Sequence, residues 1–130
     1  MREIVFSMEL KGKAEPLVGK ENAFKALLIG TDFWGERVTF ESQVILHGDT
    51  FNETGYINYQ RHGKLKFETV GVGHLGPSPV PGLQWGSVIW SISQGEGELA
   101  DAKGYITSNF TLSAEGDVVD NQCIRIFTPH

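Results

Sequence analysis

Apolar residues in this chain recur with a period of two, and glycines interrupt the pattern. Ile4, Phe6, Met8 and Leu10 alternate with Val5, Ser7, Glu9 and Lys11. Val38, Phe40, Ser42, Val44 and Leu46 alternate with Arg37, Thr39, Glu41, Gln43, Ile45 and His47. A period of two puts successive side chains on opposite faces of an extended strand. No stretch of ten or more residues shows the 3.6-residue period of a helix. Glycine accounts for 16 of the 130 residues, about twice its usual share, and falls between the alternating runs as turn punctuation.

Eight strands are predicted on this basis. They cover 4–11, 24–29, 37–47, 54–61, 65–73, 84–93, 105–112 and 118–127, with 24–29 also readable as a helical turn. Residues 12–21 and 76–82 read as loops because of Gly12, Pro16, Gly19 and the run Gly76-Pro77-Ser78-Pro79-Val80-Pro81-Gly82. His62-Gly63 reads as a tight hairpin turn. Short links between consecutive strands imply an up-and-down meander. The predicted fold class is all-β: a closed antiparallel barrel of about eight strands with little helix, with a sandwich as the other arrangement. Closure removes sheet edges that would otherwise template aggregation. The chain is one barrel domain over 1–130, without repeats or linkers.

Composition narrows the function classes. Eleven basic against sixteen acidic residues give a net charge of −5, which argues against nucleic acid or an anionic membrane as partner. A single cysteine excludes an intramolecular disulfide framework and a multi-cysteine zinc site. The first twenty residues carry no apolar signal-peptide region, so a cytoplasmic location is expected.

Residues 94–107 run Gln94-Gly95-Glu96-Gly97-Glu98-Leu99-Ala100-Asp101-Ala102-Lys103-Gly104-Tyr105-Ile106-Thr107. This glycine hairpin resembles that of the allene oxide cyclase and dirigent barrel group. Val70-Gly71-Val72-Gly73-His74-Leu75 is similar to small bacterial barrels of the same group, and the resemblance spans about 64–127. It implies a barrel that binds an apolar molecule, and in some members guides cyclisation or radical coupling. Such members are often dimers or trimers, so a homo-oligomer is expected. The specific catalytic positions of those enzymes are not seen here, and no residue role carries over. Read as local structure alone, Gly95 and Gly97 supply positive φ, and Gly104 allows close packing.

Candidate chemistry falls on few residues. His74 ends a strand before the proline-rich loop, where a neutral-pH titrating ring at a barrel mouth moves protons. Glu68 shares its face by spacing, and Glu41 sits mid-strand. Facing inward, Glu41, Glu68 and His74 are the catalytic candidates. Facing outward, they are solvated strand residues, and the apolar opposite faces (Val38, Phe40, Val44, Leu46; Leu65, Phe67) favour that orientation. His47 is a similar strand-end residue, His62 a solvated turn residue, and His130 a frayed terminus. Cys123 reads as a small buried hydrophobe.

The ligand-binding candidates are Phe40, Phe67, Tyr56, Trp85, Trp90, Tyr105 and Asn109, with Tyr59 as a further hydroxyl. Trp85 and Trp90 differ by five positions and must face opposite sides, the outer one marking an interface. No metal or organic cofactor is called for. Three functions stay open. One is a cofactor-free cyclase, isomerase or lyase acting on a small apolar molecule. The others are a carrier of such a ligand and a structural barrel with a filled core.

Overall fold

The computed structural model describes residues 1–129; His130 lies outside them. Nine strands follow in chain order: β1 (Arg2–Pro16), β2 (Ala23–Thr31), β3 (Arg37–His47), β4 (Thr50–Asn58), β5 (Lys64–Thr69), β6 (Gly73–Pro77), β7 (Leu83–Gly95), β8 (Lys103–Ser113) and β9 (Asp117–Thr128). All pairings are antiparallel. Each strand pairs with its sequence neighbour or near neighbour, and β9 returns to β1 to close the ring. The short strands β5 and β6 both lie between β4 and β7, so together they fill one position. The result is a closed eight-stranded meander with one extra strand, as the alternation predicted.

The alternation also sets the inside. Ile4, Phe6, Met8 and Leu10 of β1, Val38 and Phe40 of β3, and Ile124 and Ile126 of β9 are buried in a common core. Burying such side chains contributes roughly 1.5–3 kcal/mol each. At the core's centre Phe67 stacks near Trp90 at 4.4 Å between ring centroids, and Phe40 lies 5.3 Å from Phe67.

Several expectations are corrected. β1 runs on to Pro16 rather than ending near Gly12. Gly12 is a strand residue whose missing Cβ lets Leu27 of β2 approach: a methyl group there would lie 1.9 Å from the Leu27 carbonyl oxygen. The proline-rich loop begins later than read. Gly73–Pro77 is a strand, and Pro77 occupies its last position, where a missing N–H costs least. His62-Gly63 is not a two-residue hairpin but the end of a short helical turn, Gln60–His62. Of the glycine pair, only Gly97 has positive φ. Gly95 is required because Leu99 oxygen would lie 1.9 Å from a Cβ. Cys123 is exposed, since its strand phase puts Gln122 and Ile124 inside.

One end of the barrel is sealed. The β2–β3 loop brings Trp34 flat onto His62, at 3.8 Å and 14°. Phe6, Phe33 and Tyr59 pack around that stack. Asp32 holds the loop by accepting hydrogen bonds from the Trp34 and Glu36 amides at 2.9 and 3.0 Å. His62 is therefore buried rather than solvated, with Nδ1 2.7 Å from Glu98 Oε2. Gly63 allows the β4–β5 and β7–β8 connections to touch. Its φ is 122°, and a Cβ would lie 1.9 Å from the Glu96 carbonyl oxygen. Gly63→Ala is expected to destabilise the protein by on the order of 2 kcal/mol or more. A chemical-denaturation midpoint equal to wild type would refute this account of the seal.

Candidate functional site

The opposite end is open, and the barrel is hollow there. A cavity of about 440 Å³ runs inward from the β8–β9 turn, residues 114–116, and the strand ends around it, among them Pro16, Leu46 and Gln84. Its wall is mostly apolar: Ala26 and Leu28 of β2, Phe40 and Val44 of β3, Phe51 of β4 and Phe110 of β8, among others. Small side chains make the space. On the inner face of β1, Ala14 stands where the sealed half has Phe6 and Met8, and Ala26 of β2 lies beside it in register.

Two buried carboxyl groups interrupt the apolar wall, and a third, Glu115 in the β8–β9 turn, is exposed. Glu53 belongs to β4, in phase with Phe51 and Ile57, and Asp120 belongs to β9, in phase with Val118, Ile124 and Ile126. Both are buried and both line the cavity. Ser42 Oγ on β3 donates to Glu53 Oε2 at 2.6 Å. Ser108 Oγ on β8 donates to Asp120 Oδ1 at 2.5 Å, and Gln122 Nε2 donates to Asp120 Oδ2 at 2.8 Å. Gly55 lets β3 and β4 close up beside Ser42, since a Cβ there would lie 2.2 Å from Glu41 oxygen.

Burial pushes the Glu53 carboxyl up to about 8; the Ser42 hydrogen bond opposes the rise, and the nearby Asp120 charge adds to it. The Trp90 indole N–H lies near enough to favour the charged form slightly, yet it makes no well-formed hydrogen bond. Burial also raises Asp120, to about 6, against the hydrogen bonds from Ser108 and Gln122. Near neutral pH the cavity thus holds one protonated acid and one ionised carboxylate. Paired groups whose environments separate their protonation states are the usual equipment for proton transfer.

No known family model and no curated protein matches this chain.

The residues singled out by pattern divide between inside and outside. Trp90 (1% exposed) and Phe40 line the cavity, and Phe67 packs beneath them. Tyr59 is buried in the seal at the other end. Trp85 (54% exposed), Tyr56, Tyr105 and Asn109 stand on the outer surface, with the Lys64 ammonium 4.4 Å from the Tyr56 ring centre. As ligand-binding residues of the cavity these four are corrected. Glu41, Glu68 and His74 also face outward, and Glu41 pairs with Lys25 at 3.0 Å. The outward orientation holds for all three, and the structure does not bring them together at the cavity. Their strands must turn Phe40 and Phe67 to the core, which leaves the adjacent positions outside. His47 is likewise exposed. Among the described residues, no three His, Cys, Asp or Glu side chains converge in a way that could hold a metal ion.

Glu53 and Asp120 were missed. The signal was present as an acidic residue in the apolar phase of a strand.

Proposed function

We propose that the barrel binds a small, largely apolar molecule whose one polar end reaches Glu53 and Asp120, and that these two groups move a proton on it without a cofactor. The carrying observation is the acid pair buried in an otherwise apolar cavity. A cavity of this size suits a small organic molecule. Glu53 serves as the acid that hydrogen-bonds a developing negative charge, and Asp120 as the base. This corresponds to an isomerase, cyclase or lyase. The likeness of residues 64–127 to allene oxide cyclase and dirigent barrels points the same way. One observation favours a second reading, a carrier: both Asp120 oxygens already accept hydrogen bonds, which weakens it as a base.

The test is native mass spectrometry of protein from its own host, followed by extraction of whatever is bound. Wild type is compared with Ala26→Phe, which fills the cavity, and with Asp120→Asn. A molecule held by wild type and absent from Ala26→Phe establishes the cavity as the site. If Asp120→Asn then holds a chemically different molecule from wild type, proton transfer is established; the same molecule in both leaves a carrier. Equal loading of wild type and Ala26→Phe rejects cavity binding altogether.

A further inference from the structure

The outer wall opposite the charged strands carries a second arrangement that the cavity does not use. The strand register places His74 of β6 beside Ser87 of β7, Ser87 beside Asn109 of β8, and Asn109 beside Asn121 of β9. Four hydrogen-bonding side chains thus form one row across four strands. All four are exposed, and none makes a side-chain hydrogen bond or ion pair with the rest of the described protein. At a strand spacing of about 4.8 Å the row spans roughly 14 Å, the length of a short oligosaccharide.

Trp85 borders this row one step along β7, next to Thr111 of β8. Its other neighbour in register is Gly76 of β6. Gly76 does not have positive φ, and a Cβ there would meet nothing within 4 Å. Neither backbone geometry nor packing demands glycine at that position. Its effect is to leave the Trp85 ring uncovered on the β6 side. A groove of about 570 Å³ joins Trp85, His74, Ser87, Asn109, Thr111 and Asn121, and Asp49 also lines it.

Around the row the outer faces of β7 and β8 are uncharged: Trp85, Ser87, Ile89 and Ser91 on one, Tyr105, Thr107, Asn109 and Thr111 on the other, with Lys103 of the same phase at the far end of β8. By contrast β1 displays Glu3, Glu9, Lys11 and Lys13. An anionic ligand finds no lysine or arginine in the groove, and the one carboxyl group lining it, Asp49, can accept a hydrogen bond from a hydroxyl. A second protein copy would want a continuous apolar centre, but the polar row separates Trp85 from Ile89. A neutral sugar matches both features. Its hydroxyls meet amides and hydroxyls, and its C–H face lies on the electron-rich face of an indole.

We propose that the outer face of β6–β9 is a binding platform for a neutral oligosaccharide, with the Trp85 ring as the stacking surface and His74, Ser87, Asn109 and Asn121 as its hydrogen-bonding row. This site is independent of the cavity and of whatever the cavity binds.

The experiment is a titration of isotope-labelled protein followed by NMR, reading the Trp85 indole and the Asn109 and Asn121 side-chain amides. The ligands are neutral hexasaccharides of glucose (both β1,4- and α1,4-linked), xylose, mannose and galactose at millimolar concentrations. At least one is expected to shift those signals saturably. Trp85→Ala is expected to weaken binding by about tenfold or more, and Gly76→Val, which covers the ring, should weaken it as well. Tyr56→Ala, an exposed aromatic on β4 outside the groove, should bind as wild type does. Both test positions are open to solvent or to empty space, so the variants fold. Absence of a saturable shift with every sugar overturns the proposal, as does a shift that Trp85→Ala leaves unchanged. A Trp85 signal that moves with protein concentration alone, together with a dimer in sedimentation that Trp85→Ala abolishes, also overturns it and assigns the face to self-association.

Discussion

Wild-type stability is expected to fall as pH rises from about 4.5 to about 8, and Glu53→Gln is expected to remove most of that decline. The Glu53 carboxyl titrates near 4.5 when unfolded and about 8 when folded. Below 4.5 both states are protonated, and the contribution of the protonated group is fully present. Above it the unfolded chain ionises freely while the fold holds the proton. Stability then drops by about 1.4 kcal/mol per pH unit until the folded group ionises too. Asp120 adds a decline of the same sign between 3.8 and about 6, which the variant retains. Glutamine keeps an oxygen to accept from Ser42 and carries no charge to bury. Above pH 8 the variant should be the more stable protein by several kcal/mol. Urea midpoints measured across this range decide the matter. Parallel pH profiles for wild type and variant would mean that the Glu53 carboxyl is solvated, and the acid pair would lose its basis.

Trp90→Ala should be the most damaging single truncation inside the barrel, at about 3–5 kcal/mol. Trp90 packs against Phe67 at 4.4 Å and Phe40 at 5.6 Å, and it forms the boundary between the packed half of the core and the hollow half. Its removal joins new empty volume to an existing cavity, so neighbouring side chains have little to collapse onto. Trp90→Phe keeps an aromatic surface and should lose clearly less. Equal losses from the two variants in denaturant titrations would show that ring packing does not set the cost.

The barrel was readable because its strands obey one simple rule over long runs. The alternations of β1 and β3 directly give their buried faces, Ile4 to Leu10 and Val38 to Phe40. The unread parts have physical causes. Gly12 looks like a loop residue until β2 is seen pressed against it, and that approach is a non-local fact. His62 sits in a hydrophilic stretch, Tyr59-Gln60-Arg61-His62-Gly63, and nothing local says that Trp34 will cover it from another loop. Glu53 was lost because the strand was begun at Thr54, four residues after its start at Thr50. A strand begun too late hides every inward-facing residue that precedes the supposed start. Asp120 lay within the predicted strand, in the same phase as Val118 and Ile124, and needed only to be asked which way it faced. The acids first favoured, Glu41 and Glu68, occupy the solvent phase of their strands.

The seam between β1 and β9 has a consequence for how the chain reaches this state. Arg2 pairs with Thr128, and the register continues without a break to Lys13 and Asp117. Every other pairing in the ring joins segments that leave the ribosome close together; this one joins the first strand of the barrel to its last. Until β9 has emerged, β1 and β8 are both unpaired along the side β9 will occupy, and the apolar face of the sheet is uncovered. Closing so large a loop carries a high entropic cost before any contact compensates, so ring closure is the natural bottleneck of folding. A growing chain of this kind must stay unassociated until β9 is made, with two exposed strand edges suited to capture by a chaperone or by another nascent copy.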